Sequence, residues 1–159
     1  MARVLIVGCG GRGQALAREL VAQGHAVRGT TRSRDRFEAI AAAGAEPHLG
    51  DPDRIATLMD ALAQTTVVCW LMGTADGEEL QTGRLRMLTE KIVDTGVRGL
   101  VYEAAGTADP AWLEAGELTV RAARATWNIP LQVLHTDPAD CAAWTRDAAE
   151  AVRLLLEGE

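Results

Sequence analysis

Six short apolar runs punctuate the chain, at 3–7, 26–31, 45–49, 66–72, 99–104 and 130–135. The first, fourth and fifth are nearly continuous in Val, Leu and Ile, as expected of strands buried on both faces of a parallel sheet. Between the runs lie 14–23, 34–43, 53–63, 78–95 and 111–127, and 139–157 follows the last. These stretches are rich in Ala, Leu, Glu and Arg, which lose little freedom in a helix. Gly24 and Gly44 are placed to end two of them, and Asp137-Pro138 to open the last. Strict alternation of this kind predicts an α/β, doubly wound, mostly parallel six-stranded sheet with helices on both faces and right-handed crossovers. No linker or repeat interrupts it, so a single domain over 1–159 is expected, with 106–110 as a loop within it.

The first turn carries the most specific chemistry. Gly8-Cys9-Gly10-Gly11-Arg12-Gly13 follows a buried strand and opens a helix, which is the setting in which GxGxxG marks a dinucleotide-binding Rossmann turn. Gly8 permits the tight turn, Gly10 lets a pyrophosphate approach the backbone, and Gly13 lets helix and strand pack closely. The N–H groups of the helix N-terminus then face the phosphates; Gly11 belongs to the same cradle, and Arg12 is placed either to reach the phosphates or to lie along the surface.

The second strand ends Thr30-Thr31-Arg32-Ser33-Arg34, where an NAD site carries an Asp or Glu for the ribose 2′-hydroxyl. With no carboxylate there and two guanidinium groups that grip phosphate bidentately, the turn favours NADP(H) over NAD(H). Arg32 and Arg34 also read as solvated charges, but cations are disfavoured at the start of a helix. Asp51, after the third strand, is either an acceptor for an adenine amino group or the cap of the next helix. Leu71, Met72 and Gly73 end the fourth strand, where ligands of open α/β sheets lie.

Composition narrows the rest. The 159 residues carry a net charge of −6, which argues against nucleic acid or an anionic membrane held by bulk electrostatics. No apolar run approaches the roughly 20 residues of a membrane span, and 3–7 is too short for a secretory leader. Cys9, Cys69 and Cys141 form no CxxC, and no zinc spacing joins them to His25, His48 or His135. A reducing cytoplasm is therefore expected, and the preference for Ala and Arg over Lys suggests a bacterial genome.

The stretch 3–34, RVLIVGCGGRGQALARELVAQGHAVRGTTRSR, resembles the start of the short-chain dehydrogenase/reductase superfamily, nearest its extended, epimerase-like and NmrA-like branches. The likeness continues through Gly50-Asp51 and through 100–105, LVYEAA, which is similar to the family's VYxSS fifth strand. It runs on to 129–136 and the last helix. The resemblance implies a dinucleotide ligand and, through the helix at 78–95, a homodimer. It also implies a catalytic Tyr with a Lys four positions later and a Ser after the fifth strand, the Lys lowering the Tyr pKa. This chain departs there. Four residues after Tyr102 stands Gly106, four before Lys91 stands Met87, and Ala104-Ala105 replace the serines.

Other residues offer less. Ser33, the only serine, sits at the adenosine end and cannot serve a Ser-His-Asp site. Cys9 lies where a helix N-terminus can lower a thiol pKa. Glu103 is an unusual acid for a buried strand, placed either to pair with an Arg or to act as a general base. His135, expected to be partly buried at the end of the sixth strand, is a second candidate acid. Trp70 reads as core, while Trp112, Trp127 and Trp144 lie on the last two helices. The expected protein is an NADP(H)-binding Rossmann module without the Tyr-Lys pair, regulatory in character. The alternatives are a small NADPH-dependent reductase or epimerase-like enzyme using Glu103 or His135, or cofactor positioning alone, and a partner-binding remnant that takes no nucleotide.

Overall fold

The computed structural model describes residues 2–158, so Met1 and Glu159, the ends of the expected domain, lie outside it. Six strands, β1 (Arg3–Val7), β2 (Ala26–Thr31), β3 (Glu46–Leu49), β4 (Val67–Trp70), β5 (Gly99–Glu103) and β6 (Leu131–Leu134), form one sheet in the order β3-β2-β1-β4-β5-β6. Every pairing is parallel; Val4 stands opposite Val27 on one side and Val67 on the other. Strand order reverses between β1 and β4, and that reversal opens a crevice at the carboxyl ends of those strands.

Side chains of a strand alternate between faces, and each face is capped by its own core. Val4, Ile6, Cys69 and Val101 pack with Leu16 and Leu20 of α1 (Gly11–Ala22) and with Trp144 and Val152 of α5 (Cys141–Leu156). Leu5, Val7, Trp70 and Tyr102 pack on the other face with Leu85 and Leu88 of α3 (Gly83–Ile92) and Val120 of α4 (Pro110–Trp127). Trp70 is core as expected, and Trp144 is fully buried, while Trp127 is exposed.

The predicted glycine stops are present. Gly24 and Gly44 adopt φ of +92° and +91°, and in each turn two N–H groups close back on the helix (Gly24 N to Val21 O, His25 N to Leu20 O; Gly44 N to Ala41 O, Ala45 N to Ile40 O). This is the Schellman arrangement that a left-handed residue permits.

Three predicted helices are altered. Residues 34–43 become a 3-10 turn, Arg34–Arg36, followed by the short α2 (Phe37–Ala42). Residues 53–63 form only 3-10 turns, Ile55–Leu58 and Asp60–Leu62. There the Thr57 hydroxyl accepts from Asp51 N at 2.8 Å and donates to backbone carbonyls, offering the chain an alternative to the helical ladder. Residues 78–95 break at Gln81, which turns inward to donate to Met72 O (2.7 Å) and accept from the Tyr102 hydroxyl (2.8 Å). The last helix opens at Asp140, which accepts from Ala143 N; Asp137 instead accepts from Ala139 N, one turn earlier. Among the described residues no helix is long and apolar enough to cross a membrane.

Candidate functional site

The glycine turn lies at the mouth of the crevice and is tied to β2. Gly8 N donates to Thr30 Oγ1 and Cys9 N to Thr30 O, at 3.2 and 3.0 Å. Gly8 has φ +88°, and a side chain there would run into Met72 and lie 2.8 Å from Leu71 O. At Gly13 a Cβ would stand 3.1 Å from Ile6. Gly8 is thus demanded by the fold itself, and Gly13 sits in a tight contact that favours glycine. Gly10 is different: its φ is −85°, and a Cβ there or at Gly11 would meet nothing within 4 Å. Among the described residues nothing fills the space that the missing Gly10 side chain leaves, and Gly10 lines the cleft, so a close-approaching ligand fits there.

That cleft has a volume of about 890 Å³ and is walled by the ends of β1 to β4. Thr31, Arg32, Ser33, Asp51, Leu71 and Met72 all line it, so the structure brings together most of the positions singled out in the sequence. Arg34 lies outside, its guanidinium over the Phe37 ring at 5.6 Å. Arg36 takes a place in the wall beside Arg32 instead, and the sequence reading missed it. The Arg34–Arg36 3-10 turn decides which arginine faces inward, and the expected regular helix obscured that. The 75–80 segment, also missed, forms a further part of the wall. Asp51 Oδ1 accepts from Asp53 N at 2.9 Å, a local cap that leaves the other oxygen available.

Arg12 does not point into the phosphate cradle. Its guanidinium grips Glu103 with two hydrogen bonds (2.7 and 3.1 Å), donates to Thr74 Oγ1 (3.2 Å) and lies over the Trp144 ring at 5.6 Å. Glu103 is fully buried and also accepts from Gly73 N at 2.8 Å. Its carboxylate is thus committed to three donors and is paired, one of the two roles expected of it. Removing one partner of such a pair costs about 3–5 kcal/mol.

His135 is exposed rather than partly buried and stands outside the cleft wall. Its Nε2 bonds Glu117 Oε1 at 2.8 Å, and Arg121 holds the other oxygen. The hydrogen bond from His135, seconded by Arg121, keeps the Glu117 carboxyl below its ordinary pKa. Tyr102 is sealed in the core with its hydroxyl near Gln81 Oε1 and Leu113 O, whereas Lys91 is exposed on α3. Burial, then the charges of Glu117 and Glu103, push the Tyr102 phenol above its ordinary pKa. The Cys9 thiol packs toward Gly29, and burial pushes it up to about 11, the reverse of activation.

The sequence profile of a family described as NAD(P)H-binding matches residues 8–153. Among solved structures, a functionally unknown conserved protein from Silicibacter pomeroyi is similar at 26% identity and a TM-score of 0.62, over 84% of this chain and 51% of that one. Triphenylmethane reductase from Citrobacter sp., complexed with NADP(H), is similar at 20% identity and a TM-score of 0.64, over 82% and 48%. BdcA from E. coli shares the fold at 17% identity and a TM-score of 0.74, over 97% and 90%. The chain spans about half the length of the first two. No curated protein matches it.

Proposed function

The chain belongs to the NAD(P)H-binding family, as an atypical short-chain-dehydrogenase-like Rossmann protein, and from that premise we propose that it is a regulatory module that binds NADP(H) without turning it over. The open space over Gly10 carries this reading, because neither backbone angle nor packing requires glycine there. The N–H groups at the start of α1 would hold the pyrophosphate, Arg32 and Ser33 the 2′-phosphate, Asp51 the adenine amino group, and Leu71 and Met72 would let the ligand pass close to the backbone, while Gly73 faces Ala105 instead of the cleft. Arg36 adds a second cation to the wall at the same end, which supports NADP(H) over NAD(H).

When bound, a nicotinamide cofactor supplies hydride chemistry, and reduction of a carbonyl calls in addition for a group poised to give a proton. Tyr102 is buried away from the cleft, Lys91 is exposed elsewhere, Glu103 is held by Arg12, and His135 is engaged with Glu117. A binding role suits that arrangement better than a reductase. Buried free Cys9 and Cys69 are compatible with a reducing bacterial cytoplasm, and Met87 on α3 and Leu118 on α4 offer exposed apolar contacts for a homodimer.

Titration calorimetry with NADPH and NADH tests the reading. NADPH is expected to bind at least about tenfold more tightly, and Arg32→Ala to weaken NADPH about tenfold with little effect on NADH. Heat from neither ligand would overturn the reading, and NADPH consumption across a panel of carbonyl compounds would overturn its regulatory part.

A further inference from the structure

We infer that the site grips only the 2′-phosphorylated adenosine diphosphate half of the ligand and leaves the nicotinamide in water, so that the protein responds to the nucleotide whatever its redox state. This rests on the NADP(H)-binding reading above. In a doubly wound sheet the two halves of a dinucleotide lie over the two halves of the sheet. The adenosine half belongs over β1 to β3, and the nicotinamide half over β4 to β6.

The cleft covers the adenosine half of the sheet and reaches only the first strand of the other. Its walls come from the ends of β1 to β4 and from 74–80, and no residue of β5, β6 or the loops after them lines it. The boundary is Arg12. It lines the cleft, and its guanidinium reaches across the crest to Thr74 and the buried Glu103, with the Trp144 ring beneath. Beyond this strap the loops after β4 and β5 are in backbone contact. A Cβ on Gly73 would strike Ala105 O, one on Gly106 would strike Gly73 O, and Ala108 N donates to Gly73 O at 2.9 Å. The chain's own backbone thus fills the ground beside β5. For a nicotinamide to dock there, Arg12 would have to leave Glu103, a carboxylate with no solvent to turn to.

The test is calorimetry of the full chain with NADPH, NADP⁺ and 2′-phospho-ADP-ribose, together with the emission of the reduced nicotinamide. Dissociation constants within threefold of one another are expected, with NADPH emission unchanged from water. A dinucleotide more than threefold tighter than 2′-phospho-ADP-ribose, or a blue-shifted and enhanced emission on binding, would overturn the inference and leave the NADP(H) reading standing. Binding of none of the three would overturn both.

Discussion

Gly8 and Gly10 are separated by one residue, yet their substitutions have opposite readouts. Gly8→Ala must place a Cβ at φ +88° and 2.8 Å from the Leu71 carbonyl oxygen, so a loss of about 2–3 kcal/mol is expected in thermal or denaturant melts. Gly10→Ala meets open space and costs about 1 kcal/mol or less as a poorer helix cap, but it should abolish NADPH binding in a titration. A Gly10→Ala protein that binds NADPH normally would remove the main support for the proposed site. The glycine spacing was legible in the sequence because Gly8 answers a local backbone demand, Gly13 a close packing contact and Gly10 the approach of a ligand. The destination of Arg12 was not. An arginine in the first turn of α1 has the same local pattern whether it faces a phosphate or a carboxylate 91 residues away.

At the scale of elements, strands and glycine-terminated helices followed from local patterns, since apolar runs and left-handed stops act within a few residues. The failures arose where one polar side chain captured the backbone, as Thr57 does after β3, or turned into the core, as Gln81 does before α3. Between β6 and α4, the His135 contact to Glu117 has a measurable consequence. A carboxyl held below its ordinary pKa in the folded state adds stability above its unfolded pKa, and that stability is lost as pH falls through the folded value. His135→Ala should therefore raise the Glu117 pKa toward its ordinary range in a carboxyl NMR titration. It should also flatten the acid limb of the stability profile. An unmoved Glu117 would mean that Arg121 alone sets its titration.

For the whole molecule, the alternation of apolar and helical stretches sufficed to foretell the parallel sheet, because right-handed crossovers leave few other arrangements. The sheet also sorts the thiols. Cys141 is exposed, while Cys9 and Cys69 are buried and pushed up to about 11 and 12 by that burial. A thiol reagent at neutral pH should label one cysteine per chain quickly. The other two should follow at the rate of global opening, and all three should react at once in denaturant. Rapid labelling of Cys9 in the folded protein would contradict the packing of the glycine turn against Gly29. The Arg12–Glu103 pair, finally, makes the two positions epistatic. Changing Arg12 alone strands the Glu103 charge where no solvent reaches, and changing Glu103 alone leaves Arg12 without its partner and the buried Gly73 N–H without an acceptor, whereas replacing both with apolar residues of matching volume is tolerable or even favourable. A substitutional path that reopens the crest over β5 therefore passes through a valley of unstable single variants, and the chain is held in its present form by its neighbours in sequence space as much as by its own contacts.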